Sequence, residues 1–201
     1  MNLRRETIVH EALLLLNEAG IDSVTTRKLA ERLGVKSASL YWHFKDKRDL
    51  LDAMAEAMLA PREPPLGDWR DWLAQQARGF RKDLLANRDG ARVHVGTRPQ
   101  SEDYPLDEEE VRFLCDAGFT PTNAIRVLIT TSYFVVGWVL EEQAAGDAFR
   151  AKGEKTPAPS AETFPLLAKG QAVLRQQDSN ADFEYGLQAL IVGFGTTMQN
   201  V

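Results

Sequence analysis

Cysteine is almost absent: Cys115 alone in 201 residues excludes an intrachain disulfide and any cysteine-rich zinc site. Histidine is nearly as scarce, and His10, His43 and His94 offer no second histidine at metal-ligand spacing. The longest apolar stretch, Val127 to Leu140, has 14 residues and contains Thr130, Thr131 and Ser132. That is short of the ~20 a membrane helix needs. At the N-terminus two arginines precede apolar residues, but Glu6, His10, Glu11, Asn17 and Glu18 break the stretch, so it is no signal-peptide core. Internal repeats and useful strand alternation are missing too, which argues against a β-rich fold. These absences lead us to expect a soluble protein of a reducing compartment, the cytoplasm, without a membrane partner.

What the chain does have is apolar mass: 44% hydrophobic against 26% charged residues, enough for a core and too much for wholesale disorder. Its length suits one large domain, or one small and one medium. The net charge of −5 argues against nucleic acid until it is divided by segment. Residues 26–48 hold seven basic side chains (Arg27, Lys28, Arg32, Lys36, Lys45, Lys47, Arg48) against Glu31 and Asp46. Residues 61–201 hold 15 basic against 20 acidic. A basic head on an acidic body is more informative than the sum.

Residues 4–19 read as an amphipathic helix, with Ile8, Ala12, Leu15, Leu16 and Ala19 at spacings of three and four. Gly20 then suits a left-handed C-cap. A second helix opens at Thr25-Thr26 and carries Leu29, Ala30 and Leu33 before Gly34. Ser37 is placed to cap a short third helix through His43. Asp46 is placed to cap a fourth, with Leu50, Leu51, Met54 and Met58 on its buried side. Two helices joined by a glycine-containing turn, the second short and outwardly polar, form a helix-turn-helix pattern, although small helical bundles contain such pairs as well.

The proline-rich stretch Ala60 to Gly67 marks a boundary, giving domains 1–60 and 61–201. Beyond it, 68–87 is helical by pattern with a stripe of Trp69, Trp72, Leu73, Phe80 and Leu84, and 87–90 is a turn. Helices are expected over 106–117, 121–144, 164–177 and 181–198, with a mobile loop at about 146–163. The fold class is all-α: an N-terminal three-helix helix-turn-helix domain and a C-terminal helical domain.

The run TTRKLAERLGVKSASLYWHFKDKRDLLDAM resembles the DNA-binding domain of the tetracycline-repressor (TetR) family. Asn87-Arg88-Asp89-Gly90 with Ala91 to Pro99, Phe113-Leu114-Cys115 and Val139 to Gln143 resemble one branch of that family, so the likeness covers nearly the whole chain. The resemblance implies a homodimeric repressor, paired through a four-helix bundle from the 121–144 and 181–198 helices, that binds double-stranded DNA and a small-molecule inducer. Gly137, Gly186 and Gly193 are small enough for close backbone approach there, or packing-neutral.

For DNA, Arg27 matches the family's guanine-reading arginine, and such a pair is worth ~1–3 kcal/mol of base discrimination. Thr26, Tyr41, Trp42 and Lys47 match positions that pack on sugar and phosphate, His43 adds a phosphate or base contact, and Lys36 lies on the same face. Core packing is the other reading of Tyr41 and Trp42. Ser37, Ala38 and Ser39 replace glutamine, proline and threonine on the recognition helix. Short hydroxyls cannot make the two-pronged contact to adenine, so the operator is expected to be a different palindrome.

For the inducer, the resemblance places His94 as a direct ligand of Mg²⁺ in a tetracycline-type chelate. Thr97, and Glu141 from the partner subunit, then act through metal-bound water. One imidazole plus a chelating ligand suits an ion that keeps several waters. Phe80 matches an aromatic wall, and Arg98 and Pro99 the segment that moves on induction. The groups holding the ligand's far end are altered: Gln76 replaces an asparagine, Tyr133 a pocket-lining histidine, and another histidine falls within the changed segment around Arg62 and Glu63. Hydrogen-bonding sites discriminate strongly when a partner is misplaced. Two rivals remain at this point: a same-fold regulator that takes another aromatic or polyketide ligand without metal, and a metal-dependent enzyme using His94 and Glu141. The second lacks any Ser/His/Asp or Cys/His set.

Overall fold

A computed structural model describes residues 3–97, 103–152, 158–175 and 179–198, with backbone alone over 147–152. In chain order the helices are α1 (Arg5–Ala19), α2 (Thr26–Leu33), α3 (Ser37–Leu40), α4 (Lys47–Met58), α5 (Trp69–Leu85), α6 (Gly90–His94), α7 (Tyr104–Asp116), α8 (Pro121–Lys152), α9 (Pro165–Leu174) and α10 (Ser179–Gly195). No strand occurs among the described residues.

The capping chemistry explains most boundaries. Thr25 accepts from the Lys28 amide and Asp46 from the Asp49 amide, each satisfying a donor at a helix start. Gly34 ends α2 in the left-handed region. Gly20 does not cap α1 that way: at φ 79° and ψ 168° it is extended into a space only glycine enters freely. Its amide still closes on Leu16 O. Ser37 is not a cap either, because Lys36 holds that position without a side-chain bond. The short helix stops at Leu40, and Tyr41 to His43 form the following turn.

Helix α8 outruns its expected end at 144 and reaches Lys152, inside the stretch expected to be a loop. Gly146 alone costs about 1 kcal/mol in a helix, and Ala144, Ala145, Ala148 and Ala151 offset it. Residues 153–157 of that stretch lie outside the described residues. So do 176–178, beyond the end of α9. Pro121–Gly146 is also long and apolar enough to cross a membrane by length and composition, with mean hydropathy 1.4. An uninterrupted apolar run undercounts such a helix, since hydroxyls and small residues lengthen it. Ala124, Val127, Thr131, Val135 and Val139 are buried along one of its faces, as in the central helix of a bundle.

Two hydrophobic clusters form. One joins α1 to α4, including Ile8, Leu16, Leu29, Leu40 and Met54, and takes in Val93 of α6. The other joins α5, α7, α8 and α10 around Trp72, Leu114, Val135 and Phe183, and takes in Ala91 of the same α6. The five-residue α6 thus contributes a side chain to each core. Arg81 and Glu142 pair at 2.8 Å with the guanidinium 4.5 Å over Phe183, tying α5 to α8 and α10. A Cβ on Gly186 would meet the Phe134 ring at 2.9 Å, so that glycine serves packing within this chain. Gly137 and Gly193 face open space.

Candidate functional site

The N-terminal candidate interface centres on the turn after α3. Leu40 and Phe44 are buried, while Tyr41 and Trp42 are 58% and 87% exposed. Core packing is therefore done by their neighbours, and the two rings stand outward. Arg5 holds the turn from behind, donating to His43 O at 2.8 Å and to Asp49 at 2.8 Å with its guanidinium 4.3 Å over Phe44. Thr26 and Arg27 begin α2, with Arg27 exposed. Lys36, Ala38 and Lys47 are exposed, and Ser37, Ser39 and His43 are half-buried. The local charge divides in two. Arg32 is consumed by Glu11 and Glu18 of α1, and Arg48 by Asp52. Arg27, Lys36 and Lys47 make no ion pair among the described residues.

The second constellation centres on α6. Phe80 of α5 meets the His94 ring edge-on, with centroids 4.9 Å apart. Burial, reinforced by the Arg48 cation, pushes the His94 imidazole below its ordinary value, and its Nδ1 is buried without a hydrogen-bond partner. Thr97 donates its hydroxyl to His94 O at 2.8 Å, leaving its oxygen lone pairs to accept. Gln76, one turn before Phe80, is half-buried. Tyr133, 73% exposed, and Glu141 stand instead on the outer side of α8, and Glu141 makes no hydrogen bond or ion pair among the described residues. Arg98 and Pro99 lie outside the described residues.

No group of three or more His, Cys, Asp or Glu among the described residues could hold a metal ion. The residues present fit a shared chelate: a neutral imidazole offers a lone pair at neutral pH, and a multidentate organic ligand must bring the remaining donors. They do not fit a free-standing ion, which would face the Arg48 charge with one protein ligand.

Several contacts around the candidate site escaped the sequence reading. Arg48 of α4 donates to Val95 O at 3.0 Å. Asp89 is buried in the left-handed region at φ 56° and accepts from the Ile21 amide at 2.8 Å and from Arg92 at 3.2 Å. Gln143 reaches from α8 to Asn87 O at 2.9 Å. The Asp89-Gly90 turn was the available signal, because an acid before glycine marks an unusual backbone, but nothing in it named Ile21. From the interdomain linker, Arg62 meets Asp107 at 2.8 Å and the buried Glu110 at 3.4 Å.

Residues 8–54 match the tetR family of bacterial regulatory proteins, and residues 60–198 the tetracyclin repressor-like C-terminal domain. The chain is 48% identical over 199 residues to the tetracycline repressor protein class A from transposon 1721 of Escherichia coli, covering 95% of this chain and 90% of that protein. It is similar to the crystal structure of TetR from Acinetobacter baumannii AYE, with a TM-score of 0.81, 45% identity, and 99% and 100% of the two chains covered. It is also similar to TetR (class A) in complex with 5a,6-anhydrotetracycline and magnesium, with a TM-score of 0.73, 44% identity, and 96% and 99% covered. The chain belongs to the tetR family of bacterial regulatory proteins, with a tetracyclin repressor-like C-terminal domain.

Proposed function

We propose that this chain, a ligand-responsive DNA-binding repressor, acts as a cytoplasmic homodimer on a palindromic operator and is released by a tetracycline-type chelate bound at His94. It has no catalytic role in this reading. One observation carries the proposal: the peptide that follows His94 is wired to the last helix of the reading head, through Arg48 to Val95 O and through Val93 in the N-terminal core. The relatives named above support the ligand class.

Residues 1–60 read the operator and 61–201 bind the inducer and pair the subunits. Arg27 contacts bases, Thr26, Tyr41, Trp42, His43 and Lys47 position the head on the backbone, and Lys36 to Ser39 face the groove. Ile125, Ile129 and Tyr133 of α8 and Tyr185 and Val192 of α10 are exposed apolar side chains, an area that a second copy would cover. Glu141 and Tyr133, on that same outer side of α8, then serve the partner's ligand. His94 would hold a bound Mg²⁺, Thr97 and Glu141 would accept from its waters, and the ion would supply Lewis acidity toward the ligand's oxygens. Arg98 and Pro99 belong to the moving segment. A shift of 94–97 changes the Arg48–Val95 contact, turns α4, and alters the head separation from the ~34–36 Å of one DNA turn.

The test is operator binding. The purified protein should bind a palindrome from its own promoter region with strong salt dependence, and 5a,6-anhydrotetracycline with Mg²⁺ should release it. Ligand affinity unchanged by EDTA and by His94→Ala would overturn the chelate. It would favour the metal-free regulator, to which Gln76, Tyr133 and Arg62 already lend weight.

A further inference from the structure

Helix α3 is only four residues long, too short to stiffen the turn that follows it. The backbone bonds of that turn run from the His43 and Phe44 amides to Leu40 O, both at 3.0 Å. From His43 O to Lys45 the links go to side chains of two other helices. Arg5 of α1 donates through Nη1 to His43 O, and Asp49 of α4 accepts from the Lys45 amide through Oδ2 at 2.9 Å. Arg5 Nη2 joins the two by donating to Asp49 Oδ1 at 2.8 Å, with the guanidinium over the buried Phe44 ring. One cation and one carboxylate thus close a ring through α1, the turn and α4.

The pair is poorly placed to serve stability. The Arg5 and Asp49 side chains are 46% and 34% exposed, and ion pairs so open add little. Burial works against the Asp49 carboxylate, but the Arg5 and Lys45 bonds outweigh it and hold its pKa below the ordinary value. The link is therefore ionised at neutral pH. Its neighbours along α4 have other tasks. Lys47, Arg48 and Asp49 are consecutive, and a helix turns about 100° per residue. Lys47 is exposed, Arg48 reaches Val95 O, and Asp49 faces Arg5. The turn bearing the exposed Tyr41 and Trp42 rings and the start of α4 bearing Lys47 are held in register by this pair.

We propose that Arg5 and Asp49 are positioning residues for operator binding, holding the Tyr41–Lys47 segment in its DNA-competent form without touching DNA themselves. This rests on the operator reading above and adds the element that presents its backbone contacts. The guanidinium bonds two acceptors at once while lying over a ring, a task that a lysine ammonium cannot take over.

The test uses the full chain on a palindromic fragment of its own promoter region, with a scrambled fragment as control. Arg5→Ala and Asp49→Ala should each weaken binding to the palindrome about tenfold and to scrambled DNA less than about threefold, because positioned contacts are lost while the free cations remain. The double variant should bind within about threefold of the weaker single one, as residues acting as one unit do. In Arg5→Ala the slope of log affinity against log salt should stay unchanged, since no phosphate contact is removed. Without DNA, hydrogen exchange at the Lys45 amide should speed up in both variants, with melting temperatures near that of the wild type. Arg5→Lys should bind like Arg5→Ala.

Wild-type operator affinity in either alanine variant, Lys45 exchange unchanged in Arg5→Ala, or full rescue by lysine overturns the proposal. So does a slope lowered by about one per head in Arg5→Ala, which would make Arg5 a phosphate contact. If an alanine variant does not melt cooperatively, Arg5→Lys and Asp49→Asn carry the same comparison. If the wild type binds no promoter palindrome, the operator reading fails alone, and the variants are compared on DNA that the wild type selects from random sequence. The same losses there sustain the positioning role, and equal affinities overturn it.

Discussion

Arg48 Nη1 donates to the carbonyl of Val95 at 3.0 Å while its Nε holds Asp52, one turn along α4, at 2.8 Å. A planar guanidinium with fixed donors transmits orientation better than a flexible ammonium does. The same group bears on His94 as a charge, helping to keep the imidazole neutral.

Replacing Arg48 by Ala should therefore act twice. The His94 titration followed by NMR should move up toward the ordinary imidazole value of about 6.5. Operator affinity without inducer should change little, whereas its fall on adding 5a,6-anhydrotetracycline and Mg²⁺ should shrink about tenfold or more, ~1.4 kcal/mol of coupling. An unmoved His94 titration with full induction would remove Arg48 from the relay.

The Asp89 turn should prove structural before it is regulatory. Asp89→Ala leaves the Ile21 amide buried without its acceptor, at a cost of about 1–3 kcal/mol. At fixed protein concentration that corresponds to a melting-temperature fall of roughly 2–12 °C for a chain of this size. Gly90→Ala should be worse, because its Cβ would stand 2.1 Å from the Leu84 carbonyl oxygen, which is backbone and cannot step aside. A Gly90→Ala protein melting like the wild type would contradict this packing.

Helices with a caps-and-stripes signature were legible in the sequence: α1, α2, α4, α5 and α7 begin and end within a residue or two of where Thr25, Gly34, Asp46 and the tryptophan stripe put them. The end of α8 was not, because alanine-rich polar sequence after Gly146 reads equally as helix or loop. The exposure of Tyr41 and Trp42 needed the fold, since only the burial of Leu40 and Phe44 turns those rings outward. His94, Thr97 and Phe80 were singled out by the family resemblance, and the fold sets them side by side. Their wiring to Arg48, and the Arg62–Glu110 contact across 48 positions, are long-range pairings that no local pattern encodes.

Acidification should weaken inducer binding. The folded His94 pKa is below its unfolded value, so protonation favours states in which the ring is released. Stability contributed by the neutral ring is full above about pH 6.5 and is lost as pH falls through that value toward the folded pKa. Chelate binding, which needs the free lone pair, should weaken at the lower, folded value, and His94→Ala should flatten both profiles. Binding by the wild type that is constant from pH 7.5 to 5, with the chelator's own protonation allowed for, would speak against His94 as the ligand.

On DNA, base reading and backbone anchoring should separate by salt. Arg27→Ala should cost ~1–3 kcal/mol on the cognate palindrome and narrow the gap to scrambled DNA, because it removes a contact that distinguishes bases. Lys47→Ala should weaken both DNAs alike and lower the slope of log affinity against log salt by about one per head, since it releases one phosphate. Arg32→Ala gives the contrast within the same basic segment. Its guanidinium is tied to Glu11 and Glu18, so it should leave the salt slope unchanged and affect only the α1–α2 packing. Filter binding or anisotropy between 50 and 200 mM salt resolves these slopes. An Arg32→Ala slope matching that of Lys47→Ala would mean that the internal pairing of Arg32 yields to DNA, and that the whole basic segment acts as one electrostatic surface.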